Sequence, residues 1–430
     1  MVELPEERLD RDALEAYQLR RLEGLLRNIL PANRFYAHKF AQAGFSHDRL
    51  PASVAEFKRI PFTTKKELVD DQRLHPPYGT ALTFPLDDYA RLHQTSGTSG
   101  QPLFWLDTKE SWEWILACWE KIYRVVGIEK HDRLFFPFSF GPFLGFWSAF
   151  EAAWRQGFFC LSGGGLTSAA RLRLLWQHRI TVVLCTPTYA RRLAEVARDE
   201  GIDLKQSAVR MLIVAGEPGG SIETIRQRIE KDWGARVFDH SGLTEVGPLS
   251  IECPDNPGGL HLLEPDYLVE VIEPTSATDV MPGQTGELVV TNLGRIASPV
   301  IRYRTGDLVR AEASPCPCGR SWRRLPGGIL GRLDDMIHVR GNNLYPAALE
   351  AVLRRFEDIV EYRVEVDLTQ AQAEVNIDLE IAESADSQEV ANRVSVTIHD
   401  ELLFRANVRV VPRGSLPRFE MKAQRFHLRR

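Results

Sequence analysis

Between residues 133 and 238 the chain repeats one arrangement: a short uninterrupted apolar run, then a segment whose apolar residues recur three and four positions apart. The runs at 133–138, 158–161, 181–185, 211–215 and 236–238 are too short for helices and rich in aromatic or β-branched residues, so they predict strands. The segments between them predict helices at 143–155 and 168–178, one capped by Thr186-Pro187 and ended by Gly201, and one opened by Ser221 and closed by Gly234. Strand–helix alternation of this kind predicts an α/β sheet with helices on its faces.

The flanks read differently. Residues 9 to about 45 carry leucines at helical spacing up to a break at Pro31, and Thr63-Thr64 caps another helix. Residues 104–106 then predict a strand and 108–126 a long helix with Trp112, Ile115, Trp119 and Ile122 on one stripe. Beyond Gly247 short strands such as 268–272 and 286–291 alternate with Pro/Gly turns, a β-rich part. A fresh start follows: strand 336–339, helix 346–356, strands 362–366 and 374–381, helix 387–403 and strand 408–411, a compact α+β unit. The expected division is a large N-terminal domain, 1–333, with α/β sheets and the β-rich part, and a small C-terminal α+β domain, 334–430.

Composition narrows the function classes. The 430 residues are 44% hydrophobic with a net charge of −5, and the arginines are scattered, so no basic face is offered to a nucleic acid. The charged N-terminus lacks the order of a secretory signal and no apolar run reaches a membrane-spanning length; a cytoplasmic protein without membrane or nucleic-acid partners is expected. Cys118, Cys160 and Cys185 lie in apolar runs, as small buried hydrophobes do.

Candidate chemistry starts at His93-Gln94-Thr95-Ser96-Gly97-Thr98-Ser99-Gly100-Gln101-Pro102. Hydroxyls and glycines in such density let a backbone fold around a phosphate, although the same composition also makes a solvated turn. The Gly-Lys-Ser/Thr ending of an ordinary P-loop is missing. Two turns, Gly216-Glu217-Pro218 and Asp239-His240-Ser241-Gly242-Leu243-Thr244-Glu245, fall at the carboxyl ends of predicted strands, where ligands of open α/β sheets bind. Thr244 and Glu245 are hard oxygen donors suited to Mg²⁺. Cys253, His261, Cys316 and Cys318 supply three thiolates and one imidazole, a set that completes a tetrahedral structural zinc site; unliganded reduced cysteines are the other reading.

In order, the motifs are the 93–102 loop, Gly216-Glu217-Pro218, the 239–245 segment, Tyr303-Arg304-Thr305-Gly306-Asp307, Gly331-Arg332-Leu333-Asp334-Asp335-Met336-Ile337, Arg340-Gly341-Asn342-Asn343-Leu344-Tyr345-Pro346, and Leu416-Pro417-Arg418 with Lys422. Together they resemble the adenylate-forming superfamily, and most closely its phenylacetate-CoA ligase branch. The resemblance implies that a carboxylate attacks the α-phosphate of ATP to give an acyl-adenylate and pyrophosphate, and that the thiol of coenzyme A then displaces AMP. It implies that Thr95, Ser96, Gly97, Thr98, Ser99 and Gly100 steady the outgoing phosphates and that Lys422 bridges carboxylate and α-phosphate. Thr244 and Glu245 match the phosphate and Mg²⁺ positions, Asp307 the acceptor of both ribose hydroxyls, and Arg332 its neighbour. Gly216, Glu217, Pro218, Asp239, His240 and Ser241 fall at the nucleotide, the first two and Asp239 at the edge of adenine. Asp334 is implied as a hinge that swings the small domain so that the segment with Arg340 and Gly341 replaces Lys422. The zinc set, too, resembles one in this branch.

Two substitutions depart from the pattern: Ser241 replaces an aromatic that stacks on adenine, and Met421 a glycine before the lysine. Phe138, Phe140, Gly141 and Phe143, with Ala215 opposite, are the expected lining for the acid, and flat apolar walls favour an aryl or arylacetic acid. The sequence leaves three things open: transfer to the phosphopantetheine of an acyl carrier protein instead of coenzyme A, a non-catalytic zinc-stapled nucleotide-binding module, and a homodimer through the large domain.

Overall fold

The computed structural model describes residues 4–95, 102–312, 316–339, 342–368, 374–419 and 423–429. Its N-terminal part opens with helices α1 (Arg11–Ile29), α2 (Arg34–Gln42), α3 (Val54–Phe57) and α4 (Lys65–Leu74). Each starts where a polar side chain can take an otherwise unpaired backbone N–H: Asp10, Asn33, Ser53 and Thr64 all accept from the third residue onward. Thr64 and Glu67 cap one another reciprocally, which fixes the entry of α4.

A hairpin, β1 (Tyr89–Gln94) and β2 (Phe104–Thr108), leads into α5 (Lys109–Val126), capped by the Thr108 hydroxyl. The alternating region then gives β3 (Arg133–Phe136), α6 (Leu144–Arg155), β4 (Phe159–Ser162), α7 (Ser168–Gln177), β5 (Val182–Cys185), α8 (Pro187–Asp199), β6 (Met211–Val214), α9 (Glu223–Trp233) and β7 (Arg236–Leu243). Strands β8 (Gly247–Glu252), β9 (Gly259–Leu262) and, after three others, β13 (Arg324–Pro326) complete one sheet, whose order among the described residues is β13-β9-β8-β7-β6-β5-β3-β4. It is parallel from β4 to β7 and antiparallel from β7 to β13.

Period-two alternation explains why the parallel runs had to be apolar throughout. Leu134, Val182, Leu184 and Ile213 pack on the side of α5 and α6, while Phe135, Val183, Leu212 and Val214 pack on the side of α7, α8 and α9. A second sheet, β10 (Tyr267–Ile272), β11 (Thr285–Asn292), β12 (Tyr303–Arg310) and β14 (Gly331–Arg332), is antiparallel. The C-terminal part comprises the hairpin β15 (Ile337–Val339) and β16 (Asn342–Leu344), helices α10 (Pro346–Leu353) and α11 (Ser387–Leu402), and a sheet of β17 (Ile359–Asp367), β18 (Glu374–Ile381), β19 (Ala406–Val410) and β20 (Phe426–Arg429), ordered β19-β18-β17-β20. Its buried core, from Ile337 to Ala406, forms a hydrophobic cluster of its own.

Four expectations need correction. Ser221 does not cap α9: that helix begins at Glu223 without a side-chain cap, because the Ser221 hydroxyl donates instead to Asp239 Oδ2 at 2.5 Å. The 239–245 segment is a turn only at its end, since pairing with β8 keeps the strand going to Leu243. Helix α10 stops at Leu353 rather than 356, and β3 at Phe136 rather than 138. Strand β20 was not expected at all: Phe-His-Leu-Arg has no apolar run, and it is a strand because it pairs in parallel with β17.

Candidate active site

The carboxyl ends of β5, β6 and β7 lie side by side in register, with Val214 opposite Asp239 and Cys185 opposite Val214. The segments that leave those ends, Thr186-Pro187-Thr188, Ala215 to Pro218 and Asp239 to Ser241, therefore share one rim of the sheet. Asp239 is buried there, and burial raises its carboxyl to about 7 against the opposing bond from Ser221. Room for it depends on Gly220, where a Cβ would lie 2.5 Å from Asp239 Oδ1. His240 points away from the rim: its Nδ1 meets the Ser250 carbonyl at 2.6 Å, its ring lies 4.5 Å from that of Trp119, and burial lowers it to about 4. The Ser241 hydroxyl bonds to that of Ser250 at 2.6 Å.

A second group of side chains comes from β12. Tyr303, Thr305 and Asp307 are alternate residues and all are buried on one face. The Tyr303 hydroxyl donates to Glu245 Oε1 at 3.3 Å, and Lys65, the first residue of α4, stands 3.7 Å from the same oxygen. Asp307 receives Arg332 Nη1 at 2.8 Å, and Arg332 Nε reaches Asp334 at 2.9 Å. Burial raises the Asp307 carboxyl to about 6, with Arg332 opposing. Gly306 precedes it at φ +76°, a conformation open to glycine, and a Cβ there would come within 3.3 Å of the guanidinium.

Beneath both groups lies a pair that no spacing in the sequence announces. Arg295 and Asp107 are fully buried and bond through two contacts, 2.7 and 2.6 Å, across 188 positions of chain. Arg295 Nη1 also donates to the carbonyls of Thr244, at 2.7 Å, and Glu245, at 3.2 Å. One guanidinium thus ties the Thr244-Glu245 turn to β2, the strand that carries the 96–101 segment. The neck of that hairpin is closed by Thr95, whose hydroxyl accepts from Leu103 N at 3.0 Å while its own N–H bonds the Leu103 carbonyl at 3.1 Å. Gln94 N donates to the Pro142 carbonyl at 2.9 Å, fastening the hairpin to the aromatic turn after β3.

Around that turn Phe138 stacks on Phe146 at 4.2 Å and is buried, whereas Phe140 and Phe143 are half-buried and Gly141 is exposed. Ala215 is half-buried at the end of β6. Phe138 is thus chiefly core, and the accessible faces belong to Phe140 and Phe143. Glu217 is half-buried as a residue but its carboxylate is enclosed: Oε1 accepts Thr188 N at 2.7 Å, Oε2 accepts Ala423 N at 2.9 Å, and burial pushes the group up. Gly216 and Pro218 remain exposed on the rim. Ser96, Gly97, Thr98, Ser99, Gly100, Arg340, Gly341, Met421 and Lys422 lie outside the described residues.

Away from the rim, Cys253, His261, Cys316 and Cys318 are all buried, with their ligand atoms within 4.8 Å of one another. Cys253 Sγ to Cys316 Sγ is 3.6 Å and Cys318 Sγ to His261 Nε2 is 3.5 Å. The edges of a tetrahedron with metal–sulfur bonds of about 2.3 Å are close to that length, so the four donors fit zinc. His261 Nδ1 lies 3.2 Å from the Trp322 carbonyl, a contact that directs Nε2 toward the thiols.

Comparison with known proteins follows the same lines. The model of the AMP-binding enzyme family matches residues 41–295, and that of the AMP-binding enzyme C-terminal domain matches 341–430. A phenylacetate-coenzyme A ligase of Thermus thermophilus is 31% identical over 96% of this chain and 96% of its own. One of Escherichia coli K12 is 30% identical over 97% and 95%. The crystal structure of a 2-hydroxyisobutyryl-CoA ligase in the postadenylation state, in complex with 2-HIB-AMP, is 29% identical and superposes with a TM-score of 0.92 over 98% of this chain and 90% of that one. The same ligase in the thioesterification state, with 2-HIB-AMP and CoA, scores 0.75 over 99% and 91% at 30% identity. The chain thus overlays more fully on the postadenylation structure than on the thioesterification structure.

The Asp107–Arg295 pair yields a stability prediction. Arg295→Met strands a buried carboxylate and is expected to cost about 3–5 kcal/mol, whereas Asp107→Leu combined with Arg295→Met costs less than either single change. Urea unfolding followed by circular dichroism measures both; an additive double variant contradicts the coupling.

Proposed function

The chain belongs to the AMP-binding enzymes, in the branch of the phenylacetate-coenzyme A ligases, and on that premise we propose that it activates an aromatic carboxylic acid with ATP and passes the acyl group to coenzyme A. The observation that carries the nucleotide half is the pair of buried carboxylates, Glu245 and Asp307, beside β12, with the Glu245 turn tied to the hairpin through Arg295 and Asp107. Asp307, oriented by Arg332, accepts the ribose hydroxyls; Glu245 and Thr244 form the phosphate side. Mg²⁺ fits at Glu245, a hard oxygen donor, where its charge neutralises that of the phosphates. Gly216 and Asp239 border the base, with the backbone of the 216–218 turn as the exposed surface.

Attack of a carboxylate on the α-phosphate asks the protein for alignment and charge neutralisation rather than a protein nucleophile. The attacking oxygen forms the new P–O bond and pyrophosphate leaves with the electron pair of the broken one. In the second half, the thiol sulfur of coenzyme A attacks the acyl carbon and AMP departs. Lys422 supplies the cation of the first half from the far end of the chain, in a C-terminal unit, 334–430, that turns about Asp334 between the two. The aromatic acid is favoured by the ring faces of Phe140 and Phe143, which pack edge-on against Phe138 and Phe146 and leave a flat apolar wall. The buried thiol–imidazole set holds zinc as a staple for the loop between β12 and β13.

Scored by acid-dependent ATP–pyrophosphate exchange, a panel of carboxylic acids is expected to rank phenylacetate-like and benzoate-like acids above short branched hydroxy acids. Exchange highest with the latter overturns the aromatic reading. Lys422→Ala suppresses exchange while sparing thiol attack on supplied acyl-adenylate; equal loss of both removes its assignment.

Asp307 gives a pH signature. Accepting both ribose hydroxyls takes both oxygens of the ionised carboxylate, so adenosine affinity rises about tenfold between pH 5 and pH 7 as the carboxyl titrates near 6. The same raised value makes the group's contribution to folding run the other way: fully present at acid pH, below its unfolded value, and lost as pH rises through about 6. Calorimetric titration with adenosine checks the first, and Asp307→Asn removes that step. Purified protein is further expected to carry one zinc per chain by elemental analysis, with Cys316→Ser lowering both zinc content and melting temperature.

A further inference from the structure

We propose that Glu217, rather than touching the nucleotide, is a positioning residue that latches the C-terminal segment onto the rim of the large sheet for the adenylation half-reaction, an inference that rests on the function read above. Both of its carboxylate oxygens are engaged by backbone N–H groups. Oε1 accepts from Thr188, in the first turn of α8, and Oε2 accepts from Ala423, the residue that follows Lys422 in the chain. The bond to Ala423 joins positions 206 apart and crosses from the N-terminal part to the C-terminal one.

A second contact makes the latch two-pronged. Arg425 Nη1 donates to the Thr188 hydroxyl at 3.2 Å, while the rest of its guanidinium holds Glu361 on β17 at 2.6 and 3.1 Å. Thr188 thus offers its N–H to Glu217 and its hydroxyl to Arg425, and chain segments at 188, 217 and 423–425 are stitched at one point. A carboxylate is the suitable centre for this. It accepts on both oxygens, and the N-terminal turn of α8 favours a negative charge.

The latch belongs to one arrangement of the molecule. The chain overlays the postadenylation state of the 2-hydroxyisobutyryl-CoA ligase at 0.92 and the thioesterification state at 0.75. Any arrangement that carries the C-terminal part off the rim would separate Ala423 from Glu217. Loss of the carboxylate is therefore felt in the half-reaction that needs Lys422 in place, and not in the one that does not.

Glu217→Ala and Glu217→Gln in the full chain test this, the glutamine keeping the size but offering one acceptor oxygen to two N–H groups. With the best acid of the panel, Glu217→Ala is expected to lower the turnover of ATP–pyrophosphate exchange about tenfold or more, with Glu217→Gln intermediate. Thioester formation from supplied acyl-adenylate stays within about twofold, and AMP affinity is unchanged. A contact with adenine predicts the opposite split, weaker AMP binding and loss in both halves, and that result overturns the proposal; so does unchanged exchange. Limited trypsin digestion of the protein without substrate gives a readout independent of the reaction: cleavage after Arg418 or Arg425 is faster in Glu217→Ala, and equal rates overturn the latch. Absence of acid-dependent exchange in the unmodified protein removes the functional reading, while the digestion still decides the latch.

Discussion

A single buried ion pair sets the relation between the two halves of the proposed nucleotide site. Asp107 on β2 and Arg295 after β11 are both fully enclosed, and neither charge is tolerable there without the other. Having neutralised Asp107, the guanidinium still has donors to spend on the carbonyls of Thr244 and Glu245. The turn that presents Glu245 and the hairpin that presents the Ser/Thr/Gly segment are consequently fixed to one rigid group. His93, on the partner strand of the hairpin, lies 3.9 Å from the same Asp107 and stacks on Trp112, which extends the support into α5. Preorganisation of this kind suits a reaction in which placement and charge carry the catalysis.

Upon that base the structure adds a C-terminal part with a core of its own. The large sheet and its helices share two continuous cores, whereas the C-terminal part has its own, so it can move as a body without unpacking either. What crosses between the parts at the rim is polar: Glu217 to Ala423 and Arg425 to Thr188. Such contacts exchange for water at modest cost, which an apolar seam would not allow. The thiol–imidazole cluster, by contrast, lies well inside the N-terminal part and links the loop after β12 to β8 and β9, where the chain has few apolar residues to hold it.

The sequence was most legible where one physical rule acted alone. Strands buried on both faces must be apolar throughout, so β5 and β6 stood out, and helix starts followed from Asp, Asn, Ser and Thr at the caps. An error arose where a side chain had two uses: Ser221 reads as a cap, yet its hydroxyl serves Asp239. No local pattern shows that the Glu217 carboxylate is engaged by two backbone N–H groups. The Tyr303 and Lys65 side chains that flank Glu245 carried no local signal, because their partner is distant in the chain.

Local pattern and ordered motifs therefore determined the fold class, the family and the cast of polar residues, since propensity, periodicity and motif order are properties of neighbouring positions. Only the tertiary structure decided who faces whom: that Arg295 finds Asp107, that Phe138 is core while Phe140 and Phe143 keep accessible faces, and that Glu217 reaches Ala423. Those pairings depend on how buried charges and donors are satisfied across a hundred or more residues of chain, and no window of sequence contains both partners.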